Sequence, residues 1–247
     1  MADTPKLVTT SWDDGDPLDL RLAERLAAHG LVGTFYVPIE RGGAPVLGTR
    51  DMLELVDMGM EIGAHTYSHV MATTISVAEL RRELTESKDI LEQQLGHSIR
   101  SFCYPNGRYS KSLRPVVDEA GYDVARTTAS FLLDTKFDPL FMPVTCQIYP
   151  HSRKEFLTHA LRTHNARGAI TWLSTLHGEH RIIELTKLAA RHVERAGGVV
   201  HIWGHSWELE SAGLWNALDD VMQMLQSFSE LVPVTNAGVL DAVEKAR

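Results

Sequence analysis

Short runs rich in β-branched and aromatic residues alternate with helix-like segments along this 247-residue chain. Eight such runs occur, at 6–12, 32–38, 60–64, 101–105, 123–128, 142–149, 198–204 and 231–235. Strands that alternate with helices form βαβ units with a parallel sheet. Because no linker-like or low-complexity stretch interrupts the pattern, we predict a single α/β domain, residues 1–247, with seven or eight parallel strands.

The segments between the strands contain signals for the start and the end of helices. Asp16 precedes a helical pattern that ends near Gly30, so it is predicted to be the N-cap. Ser76 and Glu79 have the spacing of a capping box, in which each side chain satisfies a backbone N–H. Residues 165–180 fit a strand, a helix or a loop.

The composition excludes several classes of protein. Lys and Arg number 24 against 32 Asp and Glu, and the net charge of -8 argues against nucleic-acid binding, which depends on neutralising phosphates. The N-terminus lacks the basic and apolar regions of a signal peptide, and no window reaches roughly 18 apolar residues. We therefore expect a cytoplasmic protein with no membrane partner. Cys103 and Cys146 lack metal-motif spacing and are expected to be buried thiols.

Polar residues follow several of the predicted strands. In a barrel of βα units, the loops after the strands meet at the carboxyl face, where reactive groups from distant parts of the chain converge. The candidates at these strand ends are Asp13, Asp14, His65, His69, the run at 106–109, Arg126 and His205.

His65 and His69 lie four residues apart just after a predicted strand, and a helical turn would place both imidazoles on one face. Two histidines and one carboxylate, with further positions open to water, are typical of a catalytic metal site. Asp14 could supply the carboxylate. A hydrolytic site also needs a second, unligated carboxylate to take the proton from the attacking water, which would explain why Asp13 and Asp14 are adjacent.

Each of these patterns also occurs in proteins without a hydrolytic site. An isolated pair of histidines at this spacing is often exposed on a helix surface. Two adjacent aspartates before a glycine are also common at a helix N-terminus, where their side chains accept from backbone N–H groups. A set of two histidines and one carboxylate also suits non-haem iron oxygenases, although the second aspartate and the α/β pattern favour hydrolysis.

Four motifs occur together in this chain: TSWDDGD at 10–16, HTYSH at 65–69, FCYPNG at 102–107 and GHSW at 204–207. In this order and approximate spacing they resemble the polysaccharide deacetylase, or NodB-homology, family over roughly residues 7–206. The resemblance implies a single distorted (β/α) barrel. It also implies metal-dependent hydrolysis of an N-acetyl or similar acyl amide, usually on a sugar.

The resemblance further implies roles for individual residues. Asp13 corresponds to the general base, and Asp14, His65 and His69 correspond to the ligands of one divalent metal ion, usually zinc. The family places a general acid at the end of a late strand, where His205 stands in this chain. The acid would donate a proton to the leaving amine.

A second histidine, His201, lies four residues before His205 in the same predicted strand. Strand alternation points both side chains to the same face, but His201 would lie about 13 Å deeper at roughly 3.3 Å per residue. We therefore expect His205 to be the acid and His201 to be a hydrogen-bonded residue of the core.

The third motif departs from the family pattern. Family members commonly show Arg-x-Pro-Tyr-Gly where this chain has CYPNG at 103–107, so the arginine and the tyrosine are absent. Arg108 or Arg126 could supply the missing cation, although a surface salt bridge accounts for Arg126 equally well. The backbone N–H around Asn106 could still donate to an oxyanion, because a main-chain donor does not depend on the side chain.

Three tryptophans flank the motifs and could stack on a sugar ring. Trp207, next to the last motif, is the first candidate, and Trp12 and Trp203 are further ones. Core packing accounts for an aromatic residue at a strand end just as readily.

The sequence therefore predicts a metal-dependent amide hydrolase of the deacetylase type, acting on a saccharide or a small intracellular metabolite. A hydrolase of a non-sugar C–N bond or of a formyl group is the second interpretation, because the altered third motif leaves the pocket unconstrained. A non-catalytic relative that binds a metal or a glycan is a third. The motif residues are intact, which argues against this last interpretation; they are Asp13, Asp14, His65, His69 and His205.

Overall fold

The computed structural model describes residues 4–163 and 165–246. Eight strands occur in this part of the chain: β1 (Lys6–Asp13), β2 (Gly33–Val37), β3 (Glu61–Ala64), β4 (Ser101–Cys103), β5 (Val124–Arg126), β6 (Cys146–Gln147), β7 (Gly198–Gly204) and β8 (Val232–Pro233). Each coincides with one of the eight predicted runs. The bounds of β1, β2, β3 and β7 agree with the prediction to within one residue, whereas β4, β5, β6 and β8 are shorter than predicted.

The helices lie between the strands and at the C-terminal end. They are α1 (Asp19–Ala28), α2 (Thr49–Asp57), α3 (Val77–Leu95), α4 (Arg114–Glu119), α5 (Arg153–Arg162), α6 (Ala166–Ser174), α7 (Ile182–Ala196), α8 (Ser206–Ser211), α9 (Trp215–Gln226) and α10 (Asn236–Lys245). Residues 165–180, which fitted three kinds of structure, contain α6. Across the two described ranges, no helix combines the length and the apolar character needed to cross a bilayer.

One of the two predicted N-caps is confirmed and the other is wrong. The Ser76 hydroxyl accepts from the backbone N–H of Glu79 at 3.2 Å. Asp16 is not the N-cap of α1, because residues 16–19 form a turn in which Asp19 N donates to Asp16 O at 2.8 Å. The Asp16 carboxylate instead accepts from the N–H of Leu18, and the helix begins at Asp19.

All strand pairs are parallel, and the order is β5-β4-β3-β2-β1-β7-β6, with β8 paired to the start of β1. The segment that leads into β6 also bonds to β5, since Met142 accepts from Thr127 N and donates to Ala125 O, both at 2.8 Å. The two edges of the sheet therefore approach each other. This curled parallel sheet confirms the distorted (β/α) barrel.

The helices pack on the sheet through narrow apolar faces. Leu22 and Leu26 of α1 are fully buried, and Leu185, Ala189 and Val193 of α7 are buried in the same way. Positions three to four residues apart lie on one side of a helix, so each set forms one stripe against the sheet. Burial of this apolar surface drives the helices onto the sheet.

The first turn of α10 closes the barrel at the amino ends of the strands. Asn236 accepts from the Thr9 hydroxyl at 2.9 Å and donates to the Tyr36 hydroxyl at 2.7 Å. Its backbone N–H donates to Thr34 at 2.9 Å, and all four residues are buried. The loops that carry the candidate residues lie at the opposite, carboxyl ends of the strands.

Replacing Asn236 with Leu should lower the free energy of unfolding by about 1–3 kcal/mol, because two buried hydroxyls would lose their partner. Urea denaturation would measure the change. Asn216→Ala, at an exposed position of α9, is the matched control and should have little effect. Equal effects of the two substitutions would contradict a structural role for the Asn236 hydrogen bonds.

Candidate active site

The turn after β1 directs the two adjacent carboxylates to different neighbours. Asp13 ends the strand, and Asp14 and Gly15 both have left-handed backbone conformations, with φ of 83° and 58°. A Cβ at position 15 would lie 2.9 Å from Val37 Cγ1, so only glycine fits there. A positive φ at a non-glycine residue such as Asp14 is strained and is often found at functional sites.

Asp14, His65 and His69 converge at the carboxyl face. Asp14 Oδ1 lies 3.7 Å from His65 Nε2 and 3.1 Å from His69 Nε2. One ligand atom from each residue lies within 4.8 Å of the other two. Two imidazole nitrogens and one carboxylate oxygen at this spacing fit a divalent metal ion with open coordination positions.

Both histidines face Asp14 through Nε2, and a hydrogen bond to the other ring nitrogen holds His65 in this orientation. His65 Nδ1 donates to the backbone carbonyl of Cys103 at 2.9 Å, which leaves the Nε2 lone pair free. Burial lowers the pKa of His65 to about 4, against the opposing effect of Asp13, so the ring is neutral at pH 7. A neutral imidazole is the form that binds metals.

The HTYSH motif is not the helical turn that its spacing predicted. Residues 65–70 form an irregular loop, with φ of 64° at Thr66 and 56° at His69. These two left-handed residues bring the imidazole rings to 4.9 Å between centroids. The predicted proximity of the histidines is therefore found, but it arises from a strained loop rather than a helix face.

The second oxygen of Asp14 has separate partners. Trp207 Nε1 donates to Oδ2 at 2.9 Å, and Arg41 Nη1 lies 3.1 Å from the same atom. Oδ1 therefore faces the histidines while Oδ2 is held by Trp207 and Arg41. Burial alone would raise the pKa of Asp14, but the bond to His69 and the other nearby donors keep it well below its usual value. Trp207 thus binds Asp14 through its indole N–H and is also partly exposed, at 38%.

Asp13 is paired with Arg126 inside the barrel. Arg126 Nη2 donates to Asp13 Oδ1, and both side chains are buried. The guanidinium carbon lies 4.7 Å from the Trp203 ring centroid and 5.5 Å from that of Tyr36, in cation–π geometry. Burial alone would raise the pKa of Asp13, but Arg126 and the more distant histidines lower it. The alternative of a surface salt bridge for Arg126 is therefore wrong.

Cys103 occupies the position where the family pattern has an arginine. Its Sγ lies 3.8 Å from Asp13 Oδ2, the oxygen that Arg126 does not contact. Burial raises the pKa of this thiol well above its usual value, so it stays protonated and acts as a weak donor. Both Cys103 and Cys146 are buried free thiols, as predicted.

His205 lies at the end of β7 beside the same cluster. Its Nε2 is 4.0 Å from Asp14 Oδ2, and its Nδ1 donates to Glu208 Oε2 at 2.6 Å. Burial alone would lower the pKa of His205, but the bond to Glu208 and the charges of Asp13 and Asp14 raise it above its usual value.

His201 is a buried, hydrogen-bonded residue, as its depth in the strand predicted. Nε2 lies 2.9 Å from the Ser11 hydroxyl and Nδ1 lies 2.9 Å from the carbonyl of Pro143. Burial and the charge of Arg126 lower the pKa of His201 to about 3, so it stays neutral.

Three further residues predicted for the site have other surroundings. Asn106 and Arg108 line a cavity of about 450 Å³ with Tyr109 and Thr128. Among the contacts of residues 4–163 and 165–246, none joins Asn106 or Arg108 to Asp13 or Asp14. Trp12 is fully buried, so stacking of its ring on a sugar is excluded.

Sequence reasoning did not identify Arg41 and Glu208 as parts of the site. Glu208 lies three residues after His205 at the start of α8, and this helical spacing could have indicated the pair. Arg41 lies in the irregular segment between β2 and α2, where no spacing rule connects it to Asp14.

Arg126→Met should lower the free energy of unfolding by about 3–5 kcal/mol, because it leaves the buried Asp13 carboxylate without its partner. Adding Asp13→Asn should recover part of the loss, since the residual charge is removed. Chemical denaturation of the single and double variants measures the coupling. Arg81→Met, which breaks the exposed pair with Glu119, should cost at most about 1 kcal/mol. A similar loss of unfolding free energy in Arg126→Met and Arg81→Met would contradict a buried pair between Arg126 and Asp13.

The chain was compared with known proteins. Residues 1–125 match the family model described as Polysaccharide deacetylase. Chitin deacetylase 1 of Cryptococcus neoformans var. grubii is 30% identical over 113 residues, which cover 45% of this chain and 23% of that protein. The peptidoglycan-N-acetylmuramic acid deacetylase PdaC of Bacillus subtilis is 26% identical over 123 residues, or 48% of this chain and 26% of that protein. The chain spans less than half the length of the curated relatives it matches.

Solved structures show the same fold. The chitin deacetylase of Colletotrichum lindemuthianum superposes with a TM-score of 0.60 at 14% identity, covering 96% of this chain and 88% of that chain. A family 4 carbohydrate esterase of Streptomyces lividans in complex with acetate gives a TM-score of 0.56 at 17% identity, covering 93% and 92%. The family model covers half of the sequence, including Asp13, Asp14, His65 and His69. The chain therefore belongs to the polysaccharide deacetylase family.

Proposed function

We propose that this protein is a metal-dependent amide hydrolase that removes an acetyl or similar acyl group. The observation that carries the proposal is the convergence of Asp14, His65 and His69 beside a second, separately held carboxylate, Asp13. The three convergent residues would hold one divalent metal ion, and zinc is the ion that the family resemblance implies; two imidazoles and one carboxylate suit it. Such an ion lowers the pKa of water and polarises a carbonyl oxygen.

Asp13 is suited to the role of general base. Arg126 anchors its Oδ1, while its Oδ2 has the weak thiol donor of Cys103. The lowered pKa keeps the carboxylate ionised at neutral pH, so Oδ2 can accept a proton from the attacking water.

His205 is suited to the role of general acid. Its Nδ1–H is bound to Glu208, so Nε2 is the atom that can donate a proton toward the cluster. The raised pKa increases the protonated fraction near neutral pH, and the proton is transferred to the nitrogen of the leaving amine.

The proposed substrate is an acyl amide on a saccharide. The names of the relatives, a chitin deacetylase and a peptidoglycan deacetylase, support a sugar. The cytoplasmic location and the small intracellular substrate stay predictions, as do the roles of Asn106 as an oxyanion donor and of Arg108 as a cation.

Turnover of a panel of N-acetylated sugars and small amides tests the proposal. Chelation should abolish turnover and leave the circular dichroism spectrum unchanged, because the apolar core supplies most of the stability. Zinc or cobalt should restore activity. Full activity in a verified metal-free sample would refute the mechanism, and metal binding without turnover across the panel would favour a non-catalytic relative.

Substitution of the two aspartates should affect metal occupancy and kcat differently. Asp14→Asn should lower metal occupancy, because it removes the charge of a ligand oxygen. Asp13→Asn should keep the metal bound and lower kcat by about 10²–10⁴, the range for loss of a general base. Metal content by mass spectrometry and kcat on the same samples give the comparison. Equal loss of metal from both variants would contradict the assignment of Asp14 as a metal ligand and Asp13 as the general base.

Glu208→Gln should move the alkaline limb of kcat/KM to lower pH. Activity requires protonated His205, so it falls as pH rises above the pKa of this histidine, and the substitution removes the carboxylate that raises that pKa. Glu210→Gln, on the same short helix but bonded to Trp215, is the control. An alkaline limb at the same pH in wild type and Glu208→Gln would exclude His205 as the acid held by Glu208.

A further inference from the structure

A cavity of about 460 Å³ adjoins the proposed acid. Its lining combines the aromatic side chains of Trp203 and Phe156 with hydrogen-bonding or charged groups from Gln147, His151, Lys154, Glu155 and Thr158. The Trp203 ring centroid lies 5.6 Å from that of His205, so the cavity and the acid share one wall. Aromatic side chains among several polar groups suit a ring-shaped ligand that carries hydroxyl groups.

Three consecutive hydrogen bonds connect the cavity wall to His205. His151 Nε2 lies 3.1 Å from Gln147 Oε1, and Gln147 Nε2 donates to Glu208 Oε2 at 2.8 Å. The same Glu208 oxygen accepts from His205 Nδ1 at 2.6 Å. The cavity-lining residues and the acid therefore belong to one connected network.

The direction of each bond follows from the chemistry of the carboxylate. Glu208 can only accept, so Gln147 must present its NH₂ group to it and its carbonyl oxygen to His151. His151 then donates from Nε2. A change of the Gln147 amide orientation would break both of its bonds at once.

Gln147 is placed on a rigid element. It ends β6 and is paired in register with Trp203 of β7, so the two residues lie next to each other at the carboxyl end of the sheet. Its backbone position is set by the sheet, and its amide is set by the two hydrogen bonds. A ligand in the cavity would contact this amide or its partner His151.

We propose that the cavity binds the part of the substrate beyond the scissile amide, a hydroxyl-bearing ring, and that Gln147 is a positioning residue that couples this binding to the orientation of His205. The inference rests on the proposed function of His205 as the acid. A ligand that fills the cavity would pack against Gln147 or His151 and stabilise the amide orientation that their hydrogen bonds define, which keeps Glu208 and thereby the acid in position. Binding energy from a remote part of the substrate is then expressed in kcat and not only in KM.

Steady-state kinetics on a single N-acetylated sugar and on its longer oligomers tests the coupling. The wild type should show a higher kcat on the oligomers. Gln147→Leu and Gln147→Glu both remove the amide donor and should lower kcat on the oligomers by about 10-fold, the scale for loss of an outer hydrogen-bond partner. Thr158→Val is the control, because this hydroxyl lines the same cavity but donates to Lys154 O of its own helix.

A second readout needs no turnover. In metal-free protein, the NMR signal of the His205 Nδ1 proton should be protected from exchange in the wild type and in Thr158→Val, and lost in both Gln147 variants. Unchanged protection in the Gln147 variants would overturn the coupling, whether or not the protein is active. A retained kcat advantage on oligomers in Gln147→Leu would also overturn it, whereas the proposed function fails only if the wild type shows no metal-dependent turnover.

Discussion

The buried ion pair between Asp13 and Arg126 is the interaction on which the site depends. The two residues are 113 positions apart and end strands β1 and β5, which are separated in the sheet by β2, β3 and β4. Burying either charge alone would cost several kcal/mol, so the pair forms only if the sheet curls far enough to bring the strand ends together. Closure of the barrel therefore also fixes the position of the proposed base, Asp13.

The pair also separates the roles of two adjacent carboxylates. Asp13 points into the barrel toward a guanidinium, whereas Asp14, in a left-handed conformation, points toward two imidazoles. Different surroundings give chemically identical side chains different tasks. The strain at Asp14 and the tight fit of Gly15 against Val37 are the local conditions for this divergence.

Local patterns in the sequence predicted the strands well, because each strand is a short apolar run with its own turn signals. They also indicated that Asp14, His65 and His69 converge, since parallel strands end at one face. They did not show whether Arg108 or Arg126 supplies the cation that the third motif lacks, because the contact between Asp13 and Arg126 depends on how far the whole sheet curls. The loop conformation of HTYSH depends on two left-handed residues that no periodicity indicates, and Arg41 reaches Asp14 from an irregular loop.

The proposed ion has a second possible ligand set, because Asp13, His65 and Cys103 also lie within 4.8 Å of one another. The raised pKa of the Cys103 thiol and the pairing of Asp13 with Arg126 disfavour that second set. X-ray absorption at the zinc edge of the loaded protein distinguishes the two most directly. We predict zinc neighbours of nitrogen and oxygen only, at about 2.0–2.2 Å, lost in Asp14→Asn and kept in Asp13→Asn. A sulfur neighbour at about 2.3 Å would show that Cys103 is a ligand and would contradict the division of roles between the two aspartates.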